Sequence, residues 1–180
     1  MKSALIILDM ARGYGWQPGS FGYDMVARVR RLKDAALAAG AQVIHVNSMR
    51  RPTDNLPETA VMMAGTPALE VIPELQPIDQ DIVIYKRYLS GFSHNDLDYT
   101  LRTMGVDTVL ICGASTDNTV LWTSADAHQN RYKVVVAEDC CMVHREKEPP
   151  GAHEGALRII RSVLKAEVIG LEEAVRKYLT

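Results

Sequence analysis

Five apolar runs, at 4–8, 42–46, 82–85, 108–112 and 133–137, alternate along the chain with segments whose apolar residues recur at helical spacing. Runs of four or five residues are the length of strands, and strands separated by helices are joined by crossovers rather than hairpins. The expectation is an α/β fold built on a mainly parallel sheet. The first helix is marked by Met25, Val29, Leu32 and Ala36 and stops near Gly40; a second carries Leu97, Leu101 and Met104 before Gly105. A third starts around Asn118 with Leu121, Ala125 and His128 on one face, and a fourth carries Leu157, Ile160 and Leu164. A last short strand, 167–169, precedes a terminal helix ending in Tyr178 and Leu179.

In open α/β sheets, ligands bind beyond the carboxyl ends of the strands. Three ends stand out here. ALIIL delivers Asp9, IVIY delivers Lys86, and VLIC breaks into GASTDNT, a turn of small and polar residues opening a helix. If the three strands are parallel neighbours, a carboxylate, an ammonium and a hydroxyl-rich turn meet on one edge. Taken singly, each has a plain structural reading: Asp9 can cap a turn, Lys86 can lie along the surface with its head in water, and Ser115, Thr116 and Asp117 can cap a helix. Together they are informative, because opposite charges near 4 Å attract by about 4 kcal/mol at an effective dielectric of 20. N–H groups at the start of the helix could bind a developing oxyanion.

The 180 residues, 47% of them hydrophobic, suffice for one domain with a substantial core. A net charge of −2, with no basic run longer than Arg30, Arg31 and nearby Lys33, argues against a nucleic-acid partner. The opening MKSALIILDM is too short, and too soon interrupted by Asp9, for a signal or membrane-spanning segment, so no membrane partner and a cytoplasmic location are expected. Cys112, Cys140 and Cys141 have neither disulfide nor metal-site spacing. Cys112 reads as a small buried hydrophobe, and one of the adjacent pair, beyond the fifth strand, should face inward. The segment from Ser48 to about Pro77, with five prolines, is the long irregular loop, and His144 to Gly151 reads as a second rim loop.

LIILDM with Asp9, AGTPALEVIPEL at 64–75, YKRYLSGFSHNDLDYTLRTMGV at 85–106 and VLICGASTDNTVLWTSADAHQNRYKVVVAEDCC at 109–141 occur in this order. In this the chain resembles the isochorismatase-like cysteine hydrolases, which include nicotinamidase, N-carbamoylsarcosine amidohydrolase and isochorismatase. The resemblance runs from about Ala4 to Leu171. It implies a three-layer α/β/α sandwich with a six-stranded parallel sheet, Rossmann-like in arrangement, acting on a small-molecule substrate and often assembled into dimers or larger homo-oligomers such as tetramers. It also implies a catalytic triad with Asp9 as base, Lys86 supporting charge, and a nucleophile in the GxxTDxCV turn. A non-proline cis peptide at Ala114–Ser115 would shape the oxyanion hole.

At the centre the chain departs from this pattern, because Thr119 in GASTDNTV stands at the family's Cys position. A thiol is partly ionised at neutral pH, whereas a threonine hydroxyl attacks only if a base takes its proton as it does so. Three readings follow. In the first, Asp9 deprotonates Thr119, or a water that Thr119 positions, to cleave an amide, ureido or related carbonyl C–N bond. In the second, as in isochorismatase, Asp9 acts as an acid on an enol ether without any nucleophile. In the third, the chain binds a ligand and has lost catalysis. Thr116 and Asp117 retain the amidase-like form of the turn, which places the chain nearer the amidohydrolases. The Asp-x-His pair and further His of nicotinamidases are absent; His45 lies in a strand pattern, and no metal or other cofactor is expected. Tyr14, Trp16, Arg50, Tyr88 and Phe92 are candidate substrate-binding residues. Arg50 could pair with a substrate carboxylate, and Tyr88 and Phe92 could form an apolar wall.

Overall fold

The computed structural model describes residues 2–54, 61–143 and 150–179. Six strands form one sheet: β1 (Ser3–Leu8), β2 (Gln42–Ser48), β3 (Ile82–Lys86), β4 (Thr108–Ala114), β5 (Lys133–Met142) and β6 (Glu167–Ile169). Their order is β3-β2-β1-β4-β5-β6, and every pairing is parallel. Between them run α1 (Asp24–Ala38), α2 (Leu97–Thr103), α3 (Leu121–Gln129), α4 (Ala152–Ser162) and α5 (Leu171–Tyr178). The expected α/β class and six-stranded parallel sheet are found, with each apolar run in its strand. Residues 4–8 and 108–114 are buried throughout, as strands covered on both faces must be.

The chain order reverses between β1 and β4, the pair at the middle of the sheet, and a crevice opens beyond such a switch point. Here the two strands approach unusually closely. Gly113 pairs with Leu8 and has φ 111°, and a Cβ on it would lie 2.2 Å from the Leu8 carbonyl oxygen. Only glycine fits this position.

Two elements differ from expectation. β5 continues through both adjacent cysteines to Met142, and Cys140 and Cys141 are both buried rather than one. Its register against β4 jumps from Ile111↔Val136 to Gly113↔Cys141, and this irregularity breaks the strict in/out alternation. The third helix is preceded by a wide turn over 116–120, in which the N–H of Val120 reaches the Ser115 carbonyl at 3.1 Å, and regular α-helix begins only at Leu121. Pro57 and residues 144–149 of the expected rim loop lie outside the described residues.

Lys33 of α1, next to the short Arg30–Arg31 run, is buried. Its ammonium donates to the carbonyls of Leu75 (3.0 Å) and Gln76 (2.7 Å) and pairs with buried Asp81 at 2.7 Å, tying α1 to the chain entering β3. His45 of β2 lies 3.6 Å from the same Asp81 oxygen. Burial and the charge of Lys33 hold its imidazole down at about 4, Asp81 opposing only in part. Unfolding returns this group to about 6.5, so the unfolded chain binds more protons between those limits and stability falls as pH is lowered through them. The expected loss is about 2 kcal/mol on going from about pH 8 to about pH 5. His45→Leu should flatten that window in urea titrations; an unchanged slope would show that another group carries it.

Candidate active site

β1 ends at Leu8 and the next residue turns sharply. Asp9 has φ 52°, a left-handed conformation that Asp and Asn tolerate better than most residues. Its N–H remains on the Val46 carbonyl at 3.1 Å, so the carboxylate is swung off the strand end while the backbone stays in the sheet. Lys86 is the last residue of β3 and pairs in register with Ser48, the last of β2. Thr119 sits in the wide turn after β4. The carboxyl ends of four adjacent strands thus supply one cluster.

Asp9, Lys86 and Thr119 are all buried and in mutual contact. Asp9 Oδ2 accepts from Lys86 Nζ at 2.9 Å and from Thr119 Oγ1 at 3.0 Å, and Asp9 Oδ1 accepts from the Ser48 N–H at 2.7 Å. Lys86 Nζ also donates to Ser48 Oγ (2.8 Å) and to the Tyr88 carbonyl (3.1 Å). An ammonium has three N–H donors, so all of Lys86's are engaged. The ammonium therefore acts by fixing the carboxylate and its charge. Thr119 spends its one proton on Asp9, which leaves the oxygen's lone pairs directed away from the carboxylate.

The sequence-predicted residues fall at different distances from this cluster. Ala114–Ser115 is a cis peptide, as the resemblance implied, and Ser115 Oγ donates to Asp117 Oδ1 at 2.6 Å. Tyr14 reaches inward, its hydroxyl hydrogen-bonded with Ser48 and Asp9. Burial and the Asp9 carboxylate push that phenol well above its ordinary value, so it remains a proton donor. Trp16 is a buried loop anchor whose indole N–H donates to the Asp9 carbonyl at 3.2 Å. Arg50 is exposed, with its backbone pinned to Met62 and Ala64, and its charge is felt at the Tyr14 hydroxyl. Tyr88 touches the cluster through its carbonyl, while the residue as a whole is 68% exposed. Phe92 stacks on Tyr132, the residue before β5, with centroids 6.1 Å apart, and does not join the residues around Asp9.

Ser48 was not singled out in the sequence beyond beginning a loop, yet it contacts both Asp9 and Lys86; a small hydroxyl residue closing an apolar strand beside Asp9's own was the available signal. Burial pushes the thiols of Cys112, Cys140 and Cys141 well up, so none supplies a thiolate in place of the family's cysteine. Among the described residues, no three His, Cys, Asp or Glu side chains gather to hold a metal ion, and no helix is long and apolar enough to cross a membrane.

The chain is similar to several known hydrolases. Maleamate amidohydrolase of Pseudomonas putida is 27% identical over 98% of this chain and 86% of its own. Ureidoacrylate amidohydrolase of Acinetobacter baylyi is 30% identical over 78% and 70%. The crystal structure of N-carbamoylsarcosine amidase from Thermoplasma acidophilum superimposes with a TM-score of 0.82 at 29% identity, covering 96% of this chain and 98% of the other. Residues 3–173 match the Isochorismatase domain, and with that span and this fold the chain belongs to the isochorismatase family of hydrolases.

Proposed function

We propose that the protein is an amidohydrolase cleaving the carbonyl C–N bond of a small amide or ureido acid, with Thr119 as the attacking group. The observation that carries this is the Thr119 Oγ1 to Asp9 Oδ2 hydrogen bond of 3.0 Å inside a buried site, the reach a general base needs. As Thr119 Oγ bonds to the carbonyl carbon, its proton passes to Asp9. Charge then builds on the carbonyl oxygen, where N–H groups of the turn at Ser115 and Thr119 receive it. Asp9 returns the proton to the departing nitrogen as the C–N bond breaks, leaving an ester on Thr119. Water attacks that ester with Asp9 again taking a proton, which releases the acid and restores Thr119. Lys86, with all its donors engaged, keeps Asp9 in place throughout.

The substrate class is an amide that also carries a carboxylate, with Arg50 as its partner. Support comes from an exposed guanidinium close enough to act on Tyr14 beside Asp9, and from relatives named for maleamate and ureidoacrylate, both carboxylates.

A hydrolysis screen over carboxylated amides, their neutral esters, ureido acids and isochorismate tests this. The carboxylated amides should give the highest turnover. Thr119→Ala should lower kcat by about 1000-fold, as expected when the covalent route is lost. Thr119→Cys should retain turnover and become sensitive to alkylation. Full activity of Thr119→Ala on isochorismate would instead establish acid chemistry at Asp9, and tight binding without turnover in every variant would establish a binding protein.

A further inference from the structure

We propose that His153, on α4, is a positioning residue that sets the geometry of the catalytic turn through its hydrogen bond with the Thr116 hydroxyl. His153 Nδ1 lies 2.9 Å from Thr116 Oγ1. The proposal rests on the reading of the 113–120 turn as catalytic, and it adds a residue remote in sequence on which that turn's aim depends.

Thr116 follows the cis Ala114–Ser115 bond directly, is wholly buried, and stands three residues before Thr119. The turn around it is held mostly by itself. The Ser115 carbonyl accepts from both Asn118 N and Val120 N at 3.1 Å, and Ser115 Oγ is spent on Asp117. Single wide turns of this kind are rare and occur frequently at functional sites. The Thr116–His153 contact ties this turn to α4.

α4 is built to deliver that contact. His153, Leu157 and Ile160 recur at helical spacing, and Leu157 and Ile160 are buried, so His153 ends the helix's inward stripe with a polar ring. The imidazole is only half-buried, but the hydroxyl it meets is not exposed at all. A hydroxyl both donates and accepts, so either ring tautomer satisfies this contact. Losing this partner leaves a buried hydroxyl free to seek a backbone group within the turn, which shifts the N–H groups and Thr119 relative to Asp9. Substrate binding, governed by groups on the other side of the crevice, is untouched.

The test compares His153→Ala, His153→Asn, Thr116→Val and the Thr116→Val/His153→Ala double variant with maleamate as the probe. The two single losses should each lower kcat about ten-fold with KM unchanged within about two-fold, the mark of an interaction that acts on the chemical step. The double variant should be no worse than either single one, because both remove the same contact. His153→Asn, whose Oδ1 can stand where Nδ1 stood, should recover most of the loss. Hydrogen exchange needs no substrate, and amides 115–120 should exchange faster in His153→Ala than in His153→Asn. Unchanged exchange at those amides, multiplied losses in the double variant, or an Asn variant no better than Ala would overturn the proposal. Asp9→Asn and wild type in the same assay separate the two claims: if Asp9→Asn is inactive while His153→Ala is normal, only the positioning role fails; if Asp9→Asn stays active, the role of Asp9 as base fails; and if wild type hydrolyses neither maleamate nor any other amide of the screen, the amidohydrolase reading fails.

Discussion

Asp9→Asn is expected to reduce kcat by about 1000-fold, the scale of removing a general base that also serves as the acid. The substitution is chosen because it changes little else. Asn accepts the left-handed conformation at φ 52° as readily as Asp, and its Oδ1 can still receive the Ser48 N–H. What it cannot do is accept at the second position, where Lys86 and Thr119 both donate. An amide NH2 there faces two donors, and Lys86 is left as a buried cation without its counter-charge, costing about 3 kcal/mol of stability. The protein should still be folded at 25 °C by circular dichroism while turnover is lost. Activity within about ten-fold of wild type would exclude Asp9 from proton transfer.

Gly113→Ala should have the largest effect on folding, about 4 kcal/mol or more. The added Cβ would lie 2.2 Å from the Leu8 carbonyl oxygen and 2.8 Å from its nitrogen, both backbone atoms of the central strand, and φ 111° is itself costly for any residue with a Cβ. Neither strand can yield, because β1 and β4 are each paired on both sides. The urea midpoint should drop steeply or the protein should be recovered insoluble. Gly155→Ala, where an added Cβ meets nothing within 4 Å, is the matched control and should leave the midpoint unchanged or raised.

The sheet and the placement of Asp9 and Lys86 were legible because short apolar runs with a polar residue at the end leave few alternatives: such runs must be buried, and the first polar residue after each emerges at an edge. Thr119 could be singled out only by likeness to a family pattern, since a threonine in a polar turn is otherwise unremarkable. Ser48 was missed because a strand's last small residue carries no periodic signal, and its role arises only from β2 lying between β1 and β3. The burial of Lys33 was not legible, for a physical reason. In a helix whose other inward positions are Met25, Val29, Leu32 and Ala36, a lysine one place after Leu32 reads as a solvent-facing charge, and only the fold brings Asp81 and two carbonyls to its ammonium. His153 carries no signal in the sequence, because a single hydrogen bond made across the fold leaves no spacing pattern.

The indole of Trp16 is bonded to the main-chain oxygen of Asp9, the residue whose side chain meets Lys86 and Thr119. The packing of Trp16 and the peptide that carries the Asp9 carboxylate are therefore linked through one hydrogen bond. Truncating that indole would perturb Asp9 from behind, leaving in place every group that touches its carboxylate.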